Sequence, residues 1–192
     1  MKLQRGSLSS WHVFAVLGWL YLIQGIPYGL QDKFIPLQLR AHGLDYSRVG
    51  LMKAVLVPWV SKGLWAPLLQ LYGNRKLWLF AALLLLSLTA AAGSTLDVTE
   101  DLTSIACVLL VLNVGCAVQD VVVDGLAMLL LDQHNLGLVN SLQVVLYKVG
   151  SLAGGGGLML VLSLWSWQVC LLLLSAVYLC SAVWAATLSL PG

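Results

Sequence analysis

The chain has 192 residues, of which 60% are hydrophobic and 9% charged, and its formal net charge is +2. A soluble domain carries roughly 25% charged residues, so a chain this poor in charge cannot cover its surface with polar groups, and its excess apolar surface faces lipid. The basic residues form no run longer than the pair Arg75 and Lys76, which excludes a nucleic-acid partner because phosphate binding needs a basic patch.

Six apolar runs are long enough to cross a bilayer as helices, which takes roughly 20 residues each. They cover Trp11 to Leu30, Val49 to Leu71, Leu77 to Leu96, Leu102 to Leu131, Leu138 to Leu162 and Leu164 to Leu190. The first helix is expected to continue to Pro36. The second run is interrupted by Lys53, Pro58, Lys62 and Pro67. The sequence predicts an all-α polytopic membrane protein with a cytoplasmic segment at 1–10 and a six-helix bundle over 11–190.

Signatures of enzymes and of metal sites are missing from the sequence. It has no G-x-S-x-G string and no histidine pair at metal-binding spacing, and its glycine run lacks the G-K-[ST] of a phosphate loop. The four cysteines lie inside apolar runs and are predicted to be small buried hydrophobic residues: Cys107, Cys116, Cys170 and Cys180. We therefore expect no catalytic activity, no metal and no cofactor.

The orientation follows from the basic residues of the short loops. The N-terminus and the loop after the second run carry Lys2, Arg5, Arg75 and Lys76, and the opposite side carries Arg40 and Arg48. This excess predicts that both termini are cytoplasmic.

Small residues and prolines indicate where helices approach closely or bend. Gly150 and Gly154 have the spacing that lets two membrane helices pack closely, and four glycines follow one another at 154–157. These glycines predict either close packing or a flexible point in a moving helix. Prolines inside the first two runs predict kinks, because proline frees a carbonyl group.

Charged residues inside predicted spans are the main functional signal, since each costs at least about 2.5 kcal/mol at the centre of a membrane. Asp120 and Asp124 are four residues apart, so both project from one face of the fourth helix. Lys62 reaches a similar depth on the second helix and is the first choice of partner. Two close carboxylates suit a proton relay. A structural ion pair, or a solvated Asp124 in the headgroup region, is the alternative.

Lys148 lies about 15 Å from the cytoplasmic end of the fifth helix, by a rise of about 1.5 Å per residue. It is predicted to pair with an aspartate or to bind an anionic solute near the middle of the membrane. Further polar side chains on the first, fourth and fifth helices predict a polar cavity: Gln24, Gln31, Asn113, Gln119, Gln143 and Tyr147.

Four strings, in this order, resemble the major facilitator superfamily, in the branch of the acetyl-coenzyme A transporters and bacterial muropeptide permeases. They read YLIQGIPYGL at 21–30, KGLWAPL at 62–68, VQDVVVDGLA at 118–127 and NSLQVVLYKVG at 140–150. The resemblance implies two six-helix halves that rock about a central site, of which this chain is the N-terminal half. It also implies that the pathway or coupling residues are Gln24, Tyr28, Asp120, Asp124, Tyr147 and Lys148. Gln70 stands where the family usually has an acidic residue.

The hypothesis is a secondary transporter of acetyl-coenzyme A or a related organic anion, with proton coupling through Asp120 or Asp124. Its partners would be the lipid bilayer, a small-molecule solute, and a missing C-terminal half or a second six-helix unit. A six-helix half without that unit has an open face, which is the cavity face that the second unit would cover. We expect aspartates and lysines on this open face to lack partners. The alternatives are a truncated, non-transporting membrane protein that binds other subunits, and a membrane-embedded enzyme.

Overall fold

The computed structural model describes residues 10–41, 43, 50, 52–71, 74–97, 102–158, 160 and 165–188. Helices dominate these residues and no strand occurs among them. Five helices in this part of the chain are long and apolar enough to cross a membrane. The protein is therefore an all-α polytopic membrane protein.

The first span is one continuous helical segment with a π-helical turn. Helix α1 covers Ser10–Gly29, the π turn covers Leu30–Phe34, and α2 covers Ile35–Ala41. Pro27 of α1 has no N–H to donate to the carbonyl of Ile23. The Tyr178 hydroxyl donates to that carbonyl at 3.1 Å instead. The predicted extension to Pro36 is confirmed, and the helix runs beyond it.

The second span, predicted as a helix with kinks over Val49 to Leu71, is divided into shorter helices, and Val49 and Leu51 lie outside the described residues. A 3₁₀ turn covers Met52–Leu56, α3 covers Val57–Val60, and α4 covers Lys62–Leu71 after a turn at Ser61. Pro58 stands in the first turn of α3 and Pro67 lies inside α4. Proline is tolerated in the first turn of a helix, whereas inside α4 it removes one backbone hydrogen bond, and α4 continues past Pro67 to Leu71. Neither α3 nor α4 reaches the length of a spanning helix.

The remaining helices are long. They are α5 at Arg75–Gly93, α6 at Leu102–Leu130, α7 at Gln133–Leu152 with a π turn at Ala153–Gly157, and α8 at Trp167–Thr187. Arg75 and Lys76, predicted in a loop, lie in the first turn of α5. The helix begins early because the side chain of Asn74 accepts hydrogen bonds from the backbone N–H groups of Lys76 and Leu77, at 2.8 and 3.3 Å.

Helix α6 is the centre of the bundle. It packs against α5 on one side and against α1, α3 and α4 on others, while α7 packs mainly against α1 and α8 against α5. Buried residues make up 61% of the most apolar window of α6 but 17% of that of α7. Polar groups on α6 are therefore held inside the bundle, whereas α7 lies at its edge.

Glycines set the distance between α1 and α7. A Cβ atom added to Gly150 or Gly154 would overlap the carbonyl oxygens of Leu22 and Ile26 on α1. In the reverse direction, Gly25 and Gly29 of α1 lie against α7 backbone so closely that a Cβ would overlap it too. The packing interpretation of Gly150 and Gly154 therefore holds, and their partners on α1 were not predicted.

The four cysteines are all free thiols. Cys116 and Cys170 are buried as predicted, but Cys107 and Cys180 are exposed. The prediction of burial was wrong for these two because an apolar sequence does not distinguish a residue facing another helix from one facing lipid.

Candidate functional site

Asp120 lies near the middle of α6 with its side chain buried in the bundle. One carboxylate oxygen accepts a hydrogen bond from Gln24 Nε2 of α1, and the other forms an ion pair with Lys62 Nζ of α4. The structure thus contains the Lys62–Asp120 pair that the sequence suggested. A buried carboxylate needs such partners because charge is costly away from water.

Asp124 lies one helical turn after Asp120 and is partly buried. Its Oδ1 accepts hydrogen bonds from the Tyr21 hydroxyl at 3.0 Å and from Gln143 Nε2 of α7 at 3.2 Å. These contacts to α1 and α7 favour a position inside the bundle over a solvated headgroup position. Within the described residues, Asp124 forms no ion pair.

Buried amides extend the polar region along α1 and α6. Asn113 Nδ2 donates to Gln31 Oε1 at 2.6 Å and to the backbone carbonyl of Val55 at 2.8 Å. Gln119 Nε2 donates to the carbonyl of Leu20 at 3.1 Å. Three side-chain atoms of these amides and of Gln24 are buried without a hydrogen-bond partner: Gln24 Oε1, Gln31 Nε2 and Gln119 Oε1.

Three aromatic rings from three segments meet beside this polar region. The ring centroids of Tyr28 and Tyr147 are 5.6 Å apart. The ring centroid of Trp59 lies 6.3 Å from that of Tyr28 and 6.5 Å from that of Tyr147. We call these three residues the aromatic cluster. Lys62 Nζ lies 4.9 Å from the Trp59 ring centroid, so the cluster and the Lys62–Asp120 pair adjoin each other.

Lys148 is exposed on α7 and forms no ion pair with any residue that the structure describes. The predicted alternative of an aspartate partner is therefore wrong for this residue, because both aspartates of α6 are bonded to other side chains. The expectation of unpartnered charges on an open face was also wrong for Asp120, Asp124 and Lys62, whereas Lys148 fits it within the described residues.

The structure brings five of the six predicted site residues into two adjoining groups. We call Asp120 and Asp124, with the side chains bonded to them, the carboxylate network; it includes Gln24. Tyr28 and Tyr147 belong to the aromatic cluster, and Lys148 lies outside both groups. Tyr21 and Trp59 were missed because each is an aromatic residue in an apolar run, without a local signal. The side chain of Gln70, whose position in the family pattern was noted, lies outside the described residues.

Comparison with known proteins identifies relatives of this chain. The model of a protein family described as acetyl-coenzyme A transporter 1 matches residues 13–164. The chain is 29% identical over 156 residues to an anhydromuropeptide permease of Escherichia coli (strain K12), covering 79% of this chain and 31% of the permease. It is 31% identical over 142 residues to an uncharacterized protein of Schizosaccharomyces pombe, covering 68% and 27% respectively.

A more distant relative is a putative transporter, AmpG 4, of Rickettsia conorii. The identity is 22% over 180 residues, which covers 88% of this chain and 44% of that protein. The chain therefore spans less than half the length of these curated relatives.

Proposed function

Because the chain belongs to the acetyl-coenzyme A transporter 1 family, a family of membrane transporters, we propose that it is a six-helix half of a secondary transporter. The proposed solute is acetyl-coenzyme A or a related organic anion, and the mechanism is alternating access coupled to protons. The family description supports the acyl-coenzyme A solute, and the relative named as a permease supports transport.

The observation that carries this proposal is the carboxylate network in the bundle interior. Ionisable groups at membrane depth are costly and mark solute or ion pathways. The network holds two carboxylates, Asp120 and Asp124, and one ammonium group, Lys62. Two negative charges against one positive charge leave one negative charge in excess when all three are ionised. One proton neutralises the network, and this is the supporting argument for proton coupling.

Lys62 is the group through which a solute and a proton can be linked. It pairs with buried Asp120 on one side, and a third of its side chain remains exposed. An anionic solute that reaches this exposed side competes with Asp120 for the same ammonium group. Protonation of Asp120 ends that competition, because a neutral carboxyl group holds Lys62 weakly. Proton binding and anion binding would then favour each other.

Asp124 is proposed as the first proton acceptor of the network. It has no cationic partner within the described residues, whereas Asp120 has Lys62. Tyr21 and Gln143 donate to one oxygen of Asp124, which leaves its other oxygen available for a proton. A proton held there lies one helical turn from Asp120 on the same face of α6.

A second six-helix unit is the proposed partner of the open face, with lipid around the rest of the bundle. The low burial of α7 and the exposed Lys148 on it support this proposal. An antibody against residues 93–101 tests it through the apparent mass of the protein in cells. A band near twice the 20.7 kDa of this chain would mean that the same polypeptide supplies the second unit. A band at this mass would instead require a partner chain.

Uptake in proteoliposomes tests transport. The protein, purified at its native length, is reconstituted and given radiolabelled acetyl-coenzyme A with and without an inward proton gradient. We expect the gradient to raise accumulation above the level in protein-free vesicles. Equal accumulation of acetyl-coenzyme A with and without the proton gradient would contradict proton coupling. No uptake of acetyl-coenzyme A or of other organic anions would favour the alternative, a non-transporting protein that binds other membrane subunits.

The proposed orientation places both termini in the cytoplasm, on the evidence of the basic residues near the N-terminus and at the start of α5. Labelling of an introduced cysteine at Thr95, which is exposed in the turn after α5, tests it. We expect a membrane-impermeant reagent to label Thr95→Cys from the non-cytoplasmic side. Labelling only after permeabilisation would reverse the orientation.

A further inference from the structure

The aromatic cluster differs in exposure from the aromatic side chains that fill the core of the bundle. Tyr21, Phe34 and Tyr178 are fully buried, as expected of rings that fill a core. Tyr28, Trp59 and Tyr147 are only partly buried, although they contact one another. Part of each ring surface is therefore left uncovered by the packing within this chain.

The three rings come from three separate segments, α1, α3 and α7. Trp59 and Tyr147 are nearly parallel, with an interplanar angle of 22°, and Tyr28 is tilted by 38° and 44° to them. Rings from separate helices that converge on one spot, with part of their surface left uncovered, offer a surface on which a planar group can stack. Aromatic surface with a few polar groups at its edge is the usual composition of a small-molecule site.

A cation adjoins this surface and lies over the ring of Trp59. Lys62 Nζ is 4.9 Å from the Trp59 ring centroid and a third of the Lys62 side chain is exposed. Lys148 follows Tyr147 directly in the sequence and is exposed on α7. A ligand that covers the rings would therefore bring its polar part to at least one ammonium group.

We propose that the aromatic cluster binds the nucleobase of a nucleotide-containing solute, with the phosphates of that solute at Lys62. This proposal rests on the proposed transport function and specifies which part of the solute the site recognises. Nucleobases stack on aromatic side chains through their flat faces, and all of the bases can do so. A neutral sugar ring could also cover aromatic faces, but it would make no use of the positive charge on the exposed side of Lys62, so the lysine favours a nucleotide.

Trp59 and Lys62 divide the recognition between them. Trp59 supplies ring surface and no charge, whereas Lys62 supplies a positive charge over one face of that ring. Loss of the Trp59 ring should therefore weaken the binding of nucleotide-containing ligands and leave the binding of fragments without a base unchanged. Loss of the Lys62 charge should weaken the binding of every phosphorylated ligand.

Direct binding to the purified protein at its native length tests the proposal without requiring transport. The probes are radiolabelled adenosine 3′,5′-bisphosphate, which has a base, and acetyl-phosphopantetheine, which has none. We expect Trp59→Leu to weaken binding of the bisphosphate by about tenfold, the effect of losing one stacked base, and to leave acetyl-phosphopantetheine unchanged. Trp59→Phe should retain most of the affinity because it keeps a ring.

The matched control is Trp184→Leu, which removes the same side chain from an exposed position on α8 outside the cluster. It should bind both probes as the unaltered protein does. Equal affinity of Trp59→Leu and the unaltered protein for the bisphosphate would overturn the proposal, even if acetyl-coenzyme A is transported. Binding of an anhydromuropeptide without binding of the bisphosphate would also overturn it.

The proposed function and this inference can fail separately. Absence of acetyl-coenzyme A uptake, together with bisphosphate binding that depends on Trp59, would contradict the proposed solute and support the stacking surface. Uptake of acetyl-coenzyme A that Trp59→Leu leaves unchanged in apparent KM would support the transport function and overturn the stacking surface.

Discussion

Lys62 of α4 and Asp120 of α6 form an ion pair whose two members differ in exposure. The Lys62 side chain is 33% exposed and that of Asp120 is 3% exposed. The carboxylate is thus held in the bundle interior, and the ammonium group closes it off from the outside. The buried carboxylate of Asp120 therefore depends on Lys62 for its counter-charge. A solute can contact the exposed side of Lys62 without disturbing the core.

The first prediction concerns the stability of this pair. Lys62→Met should lower the free energy of unfolding, by up to about 3 kcal/mol, because it leaves a buried carboxylate without its cation. The double variant Lys62→Met with Asp120→Asn should recover most of that loss, since no unpaired charge remains. Thermal unfolding of the purified protein in detergent measures both. A double variant no more stable than Lys62→Met would show that the pair is not the source of the effect.

The Lys62–Asp120 pair could be predicted from the sequence because it depends on depth along two helices. A rise of about 1.5 Å per residue gives that depth without knowledge of packing. The same helical geometry placed Asp120 and Asp124 on one face of α6. The all-α membrane fold was predictable for a similar reason, since composition alone requires apolar helices in lipid.

The contacts of Tyr21 and Trp59 could not be predicted in this way. Tyr21 is an aromatic residue in an apolar run, and only the packing of α1 on α6 brings its hydroxyl to Asp124. Trp59 lies in the short helix α3, just before the turn at Ser61, and its ring meets Tyr28 and Tyr147 only in the folded bundle. Prolines at 58 and 67 indicated a kink, but neither the position of the break nor its direction follows from their presence.

The second prediction concerns proton coupling. Asp124→Asn removes the excess negative charge of the network, so its uptake should no longer respond to an imposed proton gradient, while exchange of internal for external solute continues. Asp120→Asn should also lose the response, because Lys62 no longer has a carboxylate whose protonation releases it. Uptake and exchange are compared in the same vesicles at two external pH values. If both variants respond to the gradient as the unaltered protein does, neither carboxylate carries the proton.

The third prediction uses two glycines of one run, Gly154 and Gly156. A Cβ at Gly154 would overlap backbone atoms of Ile26 on α1, whereas a Cβ at Gly156 meets nothing within 4 Å. Gly154→Ala should destabilise the protein by about 1–3 kcal/mol, the usual cost of overpacking. Gly156→Ala should be neutral or slightly stabilising, because alanine favours helices over glycine.

Thermal unfolding of the two glycine variants, measured side by side, checks the third prediction, and Gly156→Ala is its matched control. Equal stability of both variants would mean that α1 and α7 are not in backbone contact at Gly154. The comparison also separates packing from mobility. A glycine needed as a flexible point would show reduced transport in Gly156→Ala at unchanged stability.

The fourth prediction concerns Lys148. This lysine is exposed on α7 and has no ion-pair partner within the described residues, so its charge is available to a solute. Lys148→Met should raise the apparent KM for acetyl-coenzyme A by roughly tenfold, the effect of losing about 1.4 kcal/mol of attraction. Lys148→Arg should keep most of the affinity because it keeps the positive charge, and both variants should unfold at the temperature of the unaltered protein. Initial rates of uptake over a range of solute concentrations give the KM values. Unchanged uptake by Lys148→Met would make this lysine a surface residue, and a similar loss in both variants would mean that side-chain shape, and not charge, is what the site requires there.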